Sequence, residues 1–238
     1  MAEKKQKQKS KSDNLRQKAR DRLVSLYSDF MEDFRHDILL NESDRGAVLV
    51  ATSFVEEAME HLLRAVFTAK SPNKNSEEFV PQIEQLLEPG TRSSIGDFAS
   101  RISVSFVIGI IDSDMKQSLD ELRELRNSYS HRKKKGGKPE LTSEILHKIS
   151  SPIIGPGIID IGYLGLLPKE ISFDSLVGRV GKVRIHFAAT IWIILLSINK
   201  ATGRWIENSH HTTLVIPIGR YYGPTFREME SYQSPSHR

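Results

Sequence analysis

The feature that most limits what this chain can fold into is a stripe of apolar residues that repeats every three or four positions. Ala47, Val48, Ala51, Phe54, Val55, Ala58, Leu62 and Val66 follow one another at that spacing. A period near 3.6 places them on one wide side of an α-helix, a side that must be covered by other elements. Glu56, Glu57, Glu60 and Arg64 fall largely on the opposite side, which reads as the solvated one. Just upstream, Asn41 and Ser43 are both suited to cap a helix N-terminus, and Asp44 suits its positive first turn.

The same period recurs on either side. Leu15, Ala19, Leu23, Leu26, Tyr27, Phe30 and Phe34 predict an earlier amphipathic helix, and Met115, Leu119, Leu122, Leu125 and Tyr129 a later one. Between them, residues 98–109 fit two templates: Ile102, Val104, Phe106 and Ile108 alternate as in a strand, while Phe98, Ile102, Ser105, Phe106 and Gly109 share a helical face. With helices on both sides, helix is the expected state. Residues 15–135 therefore read as an antiparallel helical bundle of four to five helices, and Gly136 and Gly137 break the last of them.

Residues 136–238 form a C-terminal extension of different composition, rich in proline and glycine around "SPIIGPGIIDIGYLGLLP". It holds one strongly apolar helix, expected around 179–201, and an extended stretch, "HHTTLVIPIGRYYGP", that suits a short β-hairpin. The apolar run at 185–198 is about 14 residues long, short of the roughly 20 needed to span a membrane, so a buried core helix and no membrane partner are expected.

Charge and cysteine content narrow the setting. The net charge of +4 and a pI near 9.2 lean toward polyanionic partners such as RNA. The absence of cysteine excludes disulfides, thiolate metal sites and cysteine nucleophiles, and fits a reducing cytoplasm. Residues 1–14 read as a disordered basic tail, in which Lys4, Lys5, Lys7, Lys9 and Lys11 offer salt-sensitive attraction to nucleic acid but no base reading. The tail has charge without an apolar run behind it, so no leader sequence is expected.

The segment richest in chemistry is "RNSYSH", Arg126 to His131, followed by Arg132, Lys133, Lys134 and Lys135. A guanidinium holds phosphate oxygens in a fixed fork, and an imidazole exchanges protons near neutrality. Positions five apart on a regular helix, however, lie about 140° from one another and about 7.5 Å apart along the axis. They converge only if Arg126 reaches round, if the helix frays at Tyr129 or Ser130, or if a second protomer brings its own pair. The plainer alternative is that these cations simply finish a helix, where Arg, Lys and His are favoured.

Other clusters carry less. Glu57 and His61, with Glu60 close by, have a spacing that suits a metal, but a solvated charged face explains them and no metal is expected. His210 and His211 are adjacent and point apart on an extended segment. Glu42, Asp44 and Arg45 read as capping and ion pairing, or as a support in which Asp44 or Arg45 orients Arg126.

Three separated segments, "ESDRGAVLVATSFVEEAMEHLL", "EPGTRSSIGDFASRI" and "RELRNSYSH", resemble the mannitol repressor family in content and order, over about residues 34–133. The ending Arg-Asn-x-x-x-His also resembles the motif of the wider HEPN group, many of whose members are metal-independent RNases. The first resemblance implies a helical bundle that regulates transcription without catalysis, through protein contacts or nucleic acid. The second implies a homodimeric endoribonuclease that needs no cofactor, with Arg126 and His131 as catalytic residues, Asn127 supporting the pocket and Arg132 to Lys135 attracting RNA. Neither resemblance reaches residues 141–238.

Overall fold

A computed structural model describes residues 42–71, 78–88, 93–130, 141–154 and 173–207, together with Asp21 and Ser25. Among these residues the protein is mainly α, seven helices packed as a bundle with no strand. In chain order they are α1 (Asp44–Lys70), α2 (Phe79–Leu87), α3 (Phe98–Val107), α4 (Ser113–Ser130), α5 (Ser143–Ile154), α6 (Phe173–Val180) and α7 (Lys182–Glu207). The basic tail, most of the expected helix at 15–34, the turn at 136–137 and the expected hairpin beyond residue 208 lie outside the described residues.

Local chemistry sets the helix boundaries. Ser43 begins α1, its hydroxyl accepting a hydrogen bond from the Gly46 N–H at 3.2 Å, with Asp44 against the positive first turn. The helix stops where Ser71, which precedes a proline, turns extended at φ −70° and ψ 129°. Asp97 caps α3 by accepting from the Ser100 N–H at 3.0 Å, and Asp112 caps α4 by accepting from the Met115 N–H at 2.9 Å. The ambiguous segment at 98–109 is helical through Val107 and then turns sharply at Gly109, whose φ of 73° is left-handed.

One contiguous apolar core joins these helices. Val48, Val55 and Leu62 of α1 meet Ile102 of α3, Leu119 and Leu122 of α4, Ile149 of α5 and Ile185, Phe187, Ile191 and Ile194 of α7. The most extensive helix pairs are α1 with α7 and α4 with α5. The helices beyond residue 136 thus bury their apolar faces in the same core as the helices before it. At about 25 cal/mol per Å2, each such side chain contributes about 1.5–3 kcal/mol.

Helix α7 is longer than its apolar run of about 14 residues. Lys182–Thr202 is long and apolar enough to cross a membrane by length and composition, with 72% of its most apolar stretch buried inside the protein. Phe187, Ala188, Ala189, Ile191, Ile194 and Ile198 are fully enclosed by neighbouring side chains, so protein contact covers this surface.

Candidate functional site

The side of α1 opposite the core stripe is not simply solvated. Glu56, Glu60 and Arg64 are partly buried and lie in a chain of ion pairs that ties α1 to three other helices. Arg64 bridges Glu60, at 3.0 Å, and Glu84 of α2. Glu60 also accepts from Nη2 of Arg101 on α3 at 2.8 Å. Oε2 of Glu56 lies 2.9 Å from Nη1 of Arg126 on α4, an ion pair. Carboxylates and guanidiniums alternate from Glu84 through Arg64 and Glu60 to Arg101, and Glu56 and Arg126 form a pair beside them, so each charge taken from water meets an opposite one.

Arg101 anchors this network. Only 2% of its surface is exposed, yet its guanidinium donates to four acceptors. Nε donates to the Ile95 carbonyl at 3.2 Å, Nη1 to the Glu56 carbonyl at 3.2 Å, and Nη2 to the Leu87 carbonyl at 2.7 Å as well as to Glu60. The planar fork suits four acceptors spread over α1, the end of α2 and the loop before α3. Sequence reasoning missed this residue, although a signal existed: Arg101 follows Phe98 by three positions and precedes Ser105 by four, so it interrupts an apolar helical face.

Arg126 sits near the end of α4 and is 34% exposed, with Glu56 at 21%. Asn127 and Ser130 beside it are exposed, whereas Tyr129 is enclosed. α4 remains helical through Ser130, with Tyr129 packed in the core. Arg126 does not reach round its own helix: its guanidinium turns to α1. His131, Arg132, Lys133, Lys134 and Lys135 lie outside the described residues.

Asp44 and Arg45, expected to support Arg126, lie at the start of α1. Asp44 lies 3.7 Å from Nη1 of Arg184 on α7, and Arg45 is exposed. Twelve positions, about 18 Å of helix axis, separate Asp44 from Glu56, the acid that does hold Arg126. Burial draws the Arg184 guanidinium below its ordinary value, while Asp44 and then Glu42 oppose that shift.

None of the family models, characterised proteins or solved structures compared with the chain matches it. The resemblance to the mannitol repressor family therefore rests on the three sequence segments alone, and that to the HEPN group on the Arg-Asn-x-x-x-His ending alone.

The remaining titratable clusters are modest. Nε2 of His61 lies 3.6 Å from Oε1 of Glu57, with the imidazole buried and the carboxylate exposed. Among the described residues, no group of three or more potential ligand side chains is arranged to hold a metal ion. An apolar surface stands apart from Arg126: Phe106, Val107 and Ile108 at the end of α3 are exposed, Val107 by 80%. Lys116 at the start of α4 lies over the Phe106 ring, 5.8 Å from its centroid.

Proposed function

We propose that the protein is a regulator of the mannitol-repressor and HEPN type whose activity is metal-independent cleavage of RNA by a homodimer. The observation that carries this reading is the one-third-exposed Arg126 guanidinium, paired through one terminal nitrogen with Glu56, beside exposed Asn127 and shortly before the basic run that begins at Arg132. A guanidinium edge has the fork geometry to donate to two phosphate oxygens.

In the reaction, a base removes the proton of a ribose 2′-hydroxyl, whose oxygen attacks the adjacent phosphorus. The bond from phosphorus to the 5′ oxygen breaks, an acid protonates that oxygen, and the products are a 2′,3′-cyclic phosphate and a 5′-hydroxyl. His131 serves as acid or base, Arg126 stabilises the charge on the phosphate oxygens, and Asn127 supports the pocket. Two protomers supply one pair each. Arg132, Lys133, Lys134 and Lys135 draw the RNA backbone in, and no cofactor takes part.

The test is incubation of the purified protein with labelled RNA in chelator, beside Arg126→Ala and His131→Ala, with the oligomeric state measured in parallel. Cleavage lost in both folded variants supports the reading. Absence of cleavage by the wild type on varied RNAs, or a strict monomer, overturns it.

A second reading, a non-catalytic transcriptional regulator acting through a protein partner, draws support from the exposed Phe106, Val107 and Ile108. They lie at the far end of α4 from Arg126, so a contact there leaves the Arg126 region uncovered. Protein binding lost on Val107→Asp, with no RNA cleavage, is its signature.

A further inference from the structure

Arg126 and Glu56 stand in a relationship that bears on RNA binding itself. The carboxylate of Glu60 is shared by Arg64 and Arg101, and that of Glu84 goes to Arg64. Glu56 alone faces Arg126 among the described residues, and it does so through a single contact, Nη1 to Oε2 at 2.9 Å. A guanidinium has five N–H donors, and the Arg126 side chain is about one-third exposed, so solvent reaches part of it.

The two partners are not equally anchored. Glu56 lies in the middle of α1, its carbonyl gripped by the buried Arg101, whereas Arg126 is a long side chain in the last turns of α4. The main chain that carries Glu56 is thus held by Arg101, and the carboxylate reaches Arg126 from that anchored position. An anion approaching Arg126 also meets the negative charge of Glu56 a few ångströms behind it, at an effective dielectric well below that of water.

We propose that Glu56 is an electrostatic gate on Arg126, holding the guanidinium in place and setting how strongly it binds a backbone phosphate of single-stranded RNA. This rests on the reading that Arg126 meets RNA, but not on RNA being cut. The wild-type pair is close to neutral, so only a strand that also engages neighbouring cations displaces the balance toward phosphate. Removing the charge of Glu56 while keeping an acceptor for Nη1 opens the gate.

Glu56→Gln does this with little structural disturbance, because the contact to Arg101 uses the main-chain carbonyl, which glutamine retains. Glu56→Ser is the second variant should the first fail to fold. The experiment measures binding of a fluorescein-labelled single-stranded RNA by anisotropy, in chelator and at low ionic strength. The proteins are wild type, Glu56→Gln, Arg126→Gln and the double variant. One screened charge near a surface corresponds to about a threefold to tenfold tightening in Glu56→Gln.

Arg126→Gln is expected to bind more weakly than wild type, and adding Glu56→Gln to it to change nothing. The gate is overturned if Glu56→Gln fails to tighten binding, if no variant binds the RNA, or if the gain persists without Arg126, which marks a general charge effect. Gel analysis of the same mixtures reports on cleavage separately. Tightening that requires Arg126, without any cleavage, upholds the gate and overturns the nuclease.

Discussion

Arg101 and Glu60 meet through a 2.8 Å contact between Nη2 and Oε2, inside a bundle where the same guanidinium also closes off three main-chain carbonyls. This one side chain links the middle of α1 to the end of α2 and the entry to α3. The arrangement resembles a hydrogen-bonded junction more than a surface ion pair, and its value lies in satisfying a guanidinium that is almost wholly withdrawn from water.

The first prediction follows from that junction. Arg101→Ala removes every donor and leaves the Ile95, Glu56 and Leu87 carbonyls without this partner. Glu60 keeps Arg64, which limits the charge left unpaired. A loss of about 3–5 kcal/mol is expected, with Arg101→Lys recovering only part because a single ammonium does not span four acceptors. Urea unfolding of both variants measures it. A loss below about 1 kcal/mol in Arg101→Ala rules out the junction as a main support.

A second prediction concerns α7. Ile194 is fully enclosed in the core that also contains Val55 and Leu119, so Ile194→Ala should destabilise the whole bundle by about 2–5 kcal/mol in one transition. A chain ending at residue 136 loses α5, α6 and α7, and with them the most extensive cover of α1. It should show no cooperative thermal transition. A shortened chain that melts cooperatively with intact near-ultraviolet dichroism contradicts this.

Much of the bundle was legible in residue spacing. The stripe along α1, the Ser43 cap and the apolar positions of α4 follow directly from a 3.6-residue period. Helix α3 was harder because Val104, Phe106 and Ile108 alternate like a strand; in the fold Phe106, Val107 and Ile108 are exposed at its end. Helix α5 was hidden by its proline, although Leu146, Ile149 and Ile153 step at three and four positions into the core. The site was less legible for a different reason. Glu56, Glu60 and Arg64 have the pattern of a solvated face, and only their partners on α2, α3 and α4 reveal a half-buried network. Such pairings depend on which helices become neighbours, which no local spacing encodes.

Gly181, between α6 and α7, gives a third prediction. Its φ of 80° is left-handed, and its N–H closes α6 by donating to the Val177 carbonyl at 3.0 Å. A Cβ built there meets nothing within 4 Å. Gly181→Ala therefore tests backbone conformation without a steric clash, and a loss of about 1–2 kcal/mol is expected. An unchanged or raised unfolding midpoint is the outcome that contradicts it.

The last prediction is a pH dependence. His186 on α7 is partly buried, and burial, then the nearby positive charge of Lys182, pull its imidazole below the ordinary value of 6.5. In the unfolded chain the group returns to about that value. Between the lowered folded value and about 6.5, the unfolded chain holds more protons than the folded one, so stability rises with pH through this window and levels off above it. Below the folded value both forms are protonated, and the stability associated with a neutral His186 is absent. His186→Gln removes this contribution while leaving the main-chain carbonyl that accepts from Thr190 in place. The stability difference between wild type and His186→Gln, taken from urea unfolding at several pH values, should therefore grow in favour of wild type as pH increases toward about 6.5. A difference that is flat across that range, or that falls, means the imidazole is at least as easily protonated in the folded protein as in the unfolded chain.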